Sequence, residues 1–187
     1  MKRVYIERKS AFIAGTAILG AVVAVLDVPK VLKIPFPLFP RLKFDVMGIP
    51  MVLAYLFFGL LSGVIACLVA FATISFRDPF SGFMKFLAEA ATIIGAYIIV
   101  RVKSPHTSHK SKMLATVSSV VLRVVVMAVA NVLLLPMFTI ITTQAVVAIL
   151  PFICLFNAVQ GAISIAGGFL IYEAVIRRLP SLTETVK

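Results

Sequence analysis

Six polar side chains stand inside otherwise apolar runs of this sequence, and their spacing limits the chemistry they can do. Asn157 and Gln160 are three residues apart, so on a helix they share a face, and Asn131 sits at comparable depth in the preceding run. Carboxamides offer donors and acceptors without net charge, which suits a planar, neutral ligand with alternating imide and ring-nitrogen groups. The same amides could instead bond one another and glue helices together. Lys85 and Glu89 are spaced i, i+4 and can pair with each other, either on a wetted surface or on the wall of an outward-facing pocket. Arg123 falls half-way along its run, where a guanidinium requires a carboxylate, carbonyl oxygens or a path to the interface.

No reaction chemistry emerges from the remaining residues. There is no G-x-x-x-x-G-K-[ST], so ATP is not bound through a P-loop, and no H-E-x-x-H, G-x-S-x-G or paired intramembrane carboxylates. His106 and His109 form an H-x-x-H without further metal ligands nearby. Cys67 and Cys154 lie within apolar runs and read as small buried hydrophobes. The expectation is a binding protein, with no enzyme activity, no cofactor and no metal.

The elements that position these groups follow from composition. Of 187 residues, 61% are hydrophobic and only 13% charged, with a mean hydropathy of +1.12. Soluble domains carry about 25% charged residues, so most of this chain requires lipid as solvent. Backbone groups in lipid are satisfied within helices or closed barrels, and long runs without alternation select helices. A net charge of +11 does not indicate nucleic acid, because Lys and Arg cluster at the ends of apolar runs.

The expected fold is an all-α, six-transmembrane-helix bundle. It forms a single membrane domain over residues 1–187, with helices near 11–28, 46–60, 62–76, 80–101, 113–136 and 148–176. The start resembles a signal peptide but lacks a small-x-small cleavage site, so a retained first helix is expected. Residues 47–76 carry no charge and are too long for one span. Dividing them at Gly59-Leu-Leu-Ser-Gly63 places Lys2, Arg3, Arg8, Lys9, Arg101, Lys103, Lys110, Lys112, Arg177, Arg178 and Lys187 on one side, leaving fewer cations opposite. That asymmetry makes both termini cytoplasmic. Asp78 and Pro79 suit the start of the fourth helix, and Pro136 is expected to stop the fifth. Prolines 29, 35, 37 and 40 exclude a helix from the first outer loop, which can cover something apolar. On the first helix Ala14, Ala17, Ala21 and Ala24 form a smooth stripe, suited to packing within the bundle or to docking a partner protein.

Taken in order, these features resemble the S components, the substrate-capturing subunits, of energy-coupling-factor (ECF) transporters, and among them the riboflavin-binding branch. The resemblance covers most of the chain and rests on Leu42-Lys-Phe-Asp45, Ile49-Pro50, Gly59-Leu-Leu-Ser-Gly63, Phe86-Leu-Ala88, Leu122-Arg-Val-Val-Val-Met127, Asn131, Leu135-Pro136, Leu150-Pro151, Phe156-Asn157-x-x-x-Gly161 and Tyr172. It implies import of a water-soluble vitamin, riboflavin or else another vitamin or precursor, by a multi-pass protein of the plasma membrane. The alternative is a structural subunit of a membrane complex. The resemblance also implies a transmembrane T component docking at Ala14, Ala17 and Ala21, and two cytoplasmic ATPases. The proline-rich loop would be the lid. In that branch the asparagines matching Asn131 and Asn157 contact the flavin ring, and the expected substrate-binding set adds Gln160 and Lys85 from the helices and Lys43, Phe44 and Asp45 from the loop. The branch has a lysine where this chain has Gln160, and Glu-Leu-Ala-Asn-Phe where this chain has Phe83-Met-Lys85-Phe86. One wall loses a cation and another gains one.

Overall fold

A computed structural model describes residues 9–28, 33–102 and 109–178. Several sequence expectations fall outside these residues: the cations Lys2, Arg3, Arg8, Lys103 and Lys187, His106, and Pro29 of the loop. The described residues form six helices: α1 Lys9–Asp27, α2 Gly48–Phe58, α3 Leu60–Ser75, α4 Pro79–Val102, α5 His109–Phe138 and α6 Thr143–Arg178. Four of them, α1, α4, α5 and α6, are long and apolar enough to cross a membrane, whereas α2 and α3 are shorter apolar helices.

Packing places α2 at the centre, with every residue from Pro50 to Leu56 buried. Helices α2, α3, α4, α5 and α6 contact one another in a closed ring, and α1 packs from outside onto α2 and α3. The core around α2 is built from Met47, Met51, Val52, Tyr55, Ile93, Ile165 and Phe169. Outward-facing Val117, Val121, Val125 and Val129 of α5 remain exposed, the pattern of a face suited to lipid.

A single residue, Gly59, separates α2 from α3. Its φ of 94° and ψ of −179° lie in a region that only glycine adopts without strain. The chain folds back there: the Cys67 thiol contacts Met51 Sδ at 3.8 Å, and a side chain on Gly63 would collide with Tyr55. Both pairs are equidistant from Gly59, which defines an antiparallel helical hairpin. The division of the uncharged 47–76 stretch into two short helices is therefore present in the fold. At 11 residues α2 is ~16 Å long, well under the ~30 Å hydrocarbon core.

The proline-rich loop is a two-stranded antiparallel hairpin, β1 Ile34–Phe36 and β2 Phe39–Phe44, paired Ile34 to Phe44 and Pro35 to Lys43 with a register shift after Pro35. Prolines are tolerated because both strands are edges. At its foot Asp27, the last residue of α1, is buried and ion-paired with Lys33 at 2.7 Å and with Arg77. The hairpin end of the bundle is thus tied to α1 and to the α3–α4 connection.

Three helix ends depart from expectation. The fifth helix begins at His109 and continues two residues past Pro136, and the sixth begins at Thr143 and passes through Pro151. Apolar runs mark the part of a helix that needs lipid, and wet polar turns extend beyond it. Pro136 sits in a last turn where losing one backbone bond costs little. Replacing Gly59 with alanine should destabilise the protein by about 1–3 kcal/mol, read as a lowered unfolding temperature in lipid nanodiscs, with the ion pairs at both ends of the hairpin unaffected.

Candidate functional site

Beneath the hairpin, between α4, α5 and α6, lies a cavity of about 400 Å³. The hairpin side supplies Phe39, Leu42, Lys43 and Asp45; α4 supplies Phe80, Ser81, Met84, Lys85 and Ala88. From α5 come Arg123, Met127, Asn131 and Leu135, each one helical turn from the next, and from α6 Ile149, Ile153, Phe156, Asn157 and Gln160. Thr139, Ile141 and Asp78 complete the rim. Asp78 accepts hydrogen bonds from the hydroxyl and amide of Ser81, which hold its carboxyl below the usual carboxylate range.

A chain of four alternating charges runs along one wall. Lys85 Nζ lies 2.8 and 2.9 Å from the two Asp45 oxygens and 2.9 Å from Glu89 Oε1. The same Glu89 oxygen meets Arg123 at 3.0 Å. The Lys85, Glu89 and Arg123 side chains are 12%, 1% and 2% exposed, so the pair between Lys85 and Glu89 is not a solvated surface pair. Arg123 also donates to Thr92 Oγ1 at 3.1 Å and to Asn157 Oδ1 at 3.2 Å. Its position is possible because Gly161 carries no side chain: a Cβ there would come within 3.0 Å of the Arg123 Cδ.

The amides divide into two kinds. Asn157 donates one N–H to Ile153 O at 2.9 Å and accepts from Arg123, which uses one of its two donors and one acceptor site. Asn131 donates to Met127 O at 2.7 Å. Gln160 is engaged with the hairpin: its Nε2 donates to Asp45 O at 2.8 Å, and its Oε1 accepts from Asp45 N at 3.2 Å. Each amide bonds other partners, and all three border the cavity.

Of the residues singled out in the sequence, Asn131, Asn157, Gln160, Lys85, Lys43 and Asp45 all border this one space. Phe44 stands one ring behind it, stacked on Phe156 at 4.9 Å and edge-on to Phe36. Ala14, Ala17 and Ala21 lie elsewhere, exposed on the outer face of α1 while Thr16, Gly20 and Val23 face the bundle. Sequence reasoning did not single out Met84, Met127, Ile153 or Phe80 as lining. Stepping one helical turn from Asn131 and from Asn157 would have found Met127 and Ile153. It also left Arg123 without a named partner.

Among known proteins, the sequence model of the family described as "ECF transporter, substrate-specific component" matches residues 11–172. Among solved structures, the chain is similar to the S component of a bacterial ECF transporter, with 26% identity and a TM-score of 0.76 over 92% of this chain and 99% of that one. No curated protein matches the sequence.

The charge chain makes a stability statement. Converting Glu89 to glutamine leaves Lys85 with Asp45 but strips buried Arg123 of its carboxylate, and should destabilise the fold by about 3–5 kcal/mol. Combining Glu89→Gln with Arg123→Gln should recover part of that loss, and thermal unfolding of the two variants side by side measures the difference.

Proposed function

Because the chain belongs to the family of ECF transporter substrate-specific components, we propose that it captures riboflavin from outside the cell and hands it to a partner-driven import step. Members of this family are substrate-binding transporter subunits and not enzymes; the ATPase resides in other proteins. The observation that carries the proposal is the cavity itself: about 400 Å³, within the range of about 300–1,000 Å³ common to small-molecule sites. Its apolar and aromatic lining includes Phe39, Phe80 and Phe156, and Asn131 and Asn157 hold unused hydrogen-bonding capacity toward it. A flavin ring is flat and apolar in its body and carries imide and ring-nitrogen groups along one edge, which such amides can read.

In this reading the hairpin is the lid. Phe39 closes the cavity, Phe44 is anchored behind Phe156, and Asp45 is held by Lys85 and Gln160. Closing excludes water and strengthens the amide bonds beneath. The hairpin end would face outward and the start of α1 and the end of α6 inward, beside Lys9, Lys110, Lys112, Arg177 and Arg178, as the excess of cations requires. The α2–α3 hairpin would count as two short spans, accommodated by local thinning of the plasma membrane. The exposed Ala14, Ala17 and Ala21 would receive a transmembrane T component, with two cytoplasmic ATPases supplying energy.

Titration of the purified protein with riboflavin should quench flavin fluorescence at micromolar concentration or below; absence of quenching discards riboflavin as ligand. Replacing Asn131 or Asn157 with leucine should weaken that binding by about tenfold or more, since a flavin edge group would be left unpaired. Leucine at Ala17 and Ala21 should leave quenching intact and abolish co-purification with the T component and ATPases.

A further inference from the structure

We propose that Asp45 determines the charge of the ligand this site accepts, by neutralising Lys85 only when the hairpin is closed, so that neutral molecules are retained and their phosphate esters are not. The proposal rests on reading the cavity as the ligand site, and it deepens that reading.

The ammonium of Lys85 has three N–H donors, and three carboxylate oxygens surround it within 2.9 Å: both of Asp45 and Oε1 of Glu89. In the closed arrangement Asp45 and Glu89 balance Lys85 and Arg123, and at the rim Lys43 is balanced by Asp78. The cup therefore presents no net charge to its contents. Asp45, however, belongs to the hairpin side of the cavity, whereas Lys85, Glu89 and Arg123 belong to α4 and α5. When the hairpin lifts, Lys43 leaves with Asp45 while Asp78 stays at the rim beside α4, and at the wall Lys85 loses two of its three acceptors and shares the Glu89 oxygen with Arg123.

The outcome then depends on the ligand. A neutral molecule leaves Lys85 open to Asp45, so the hairpin can close and Gln160 can bond the Asp45 peptide on both sides. A phosphate ester supplies oxygens that compete with Asp45 for the same ammonium. Closing would then press the Asp45 carboxylate against a second anion in a site of low dielectric, where like charges repel strongly. The anion is held in an open, wet cup and escapes. Discrimination thus comes from a repulsive element set into the lid as well as from contacts to the preferred ligand.

The test compares wild type with Asp45→Asn, which keeps the side-chain oxygen that accepts from Met47 N–H. Riboflavin and riboflavin 5′-phosphate are titrated against both in nanodiscs by flavin quenching. Wild type should favour riboflavin by about tenfold or more, and Asp45→Asn should move the ratio at least about tenfold toward the phosphate. The double variant Asp45→Asn, Lys85→Gln should lose that gain. An unchanged ratio in Asp45→Asn overturns the proposal and leaves the riboflavin reading standing. If wild type quenches neither flavin, the riboflavin reading fails, and inorganic phosphate alone decides the charge rule. Phosphate at fixed ionic strength should then raise the unfolding temperature of Asp45→Asn and not that of wild type or the double variant. No rise in Asp45→Asn overturns it.

Discussion

A guanidinium inside a bundle of apolar helices needs a partner for its charge, and here that partner is the carboxylate of Glu89. Inserting an arginine at the middle of a membrane helix costs about 2.5–3.5 kcal/mol on insertion scales, and a lone Glu89 would add its own penalty. Joined at 3.0 Å they fix the facing of α4 against α5. The remaining geometry follows from that contact. Lys85, one turn from Glu89, is drawn to the same oxygen and points to the cavity, and Arg123 orients Asn157 through its Nε. Asp45 then finds a cation waiting at the wall. Buried ion pairs are weak sources of stability but strict in their geometry, and the strictness is what a binding wall needs.

The lid and its support are joined at two places of different kind. Near Asp27 the foot of the hairpin is bound to α1 and to the α3–α4 connection by ion pairs, one to Lys33 six residues on and one to Arg77 fifty residues on. At Asp45 the other end meets α4 and α6, far away in sequence, through Lys85 and Gln160. Gly59 contributes indirectly: folding α2 back upon α3 buries α2, which follows directly after Asp45 and so anchors the end of the lid in the core.

Much of this was readable in the residues. Apolar runs located all six helices, and the charge asymmetry chose two short helices over one long span between 47 and 76. Asn131, Asn157 and Gln160 were recognised as costly, and all three do border one cavity. What escaped was relational. Arg123 announced its need for a carboxylate, but Glu89 lies 34 positions earlier on another helix, and only packing brings them together. Gln160 looked equivalent to the asparagines because its neighbour across the gap, the Asp45 peptide, is 115 positions away. The hairpin was hidden because prolines report where a helix cannot be and say nothing about two edge strands pairing. Pro136 misled for the opposite reason, since the last turn of a helix absorbs the loss of one backbone bond.

The placement of α1 outside the ring has a mechanical meaning. Its inner side packs on α2 and α3, its outer side exposes Ala14, Ala17 and Ala21 among Ile13, Ile18, Val22 and Val25, and its last residue grips the base of β1 through Lys33. A load applied along that outer helix reaches the strand by a short, stiff route that bypasses the walls of the cup. The molecule is built like a hinged tankard, with a handle connected to its cover and separate from its bowl.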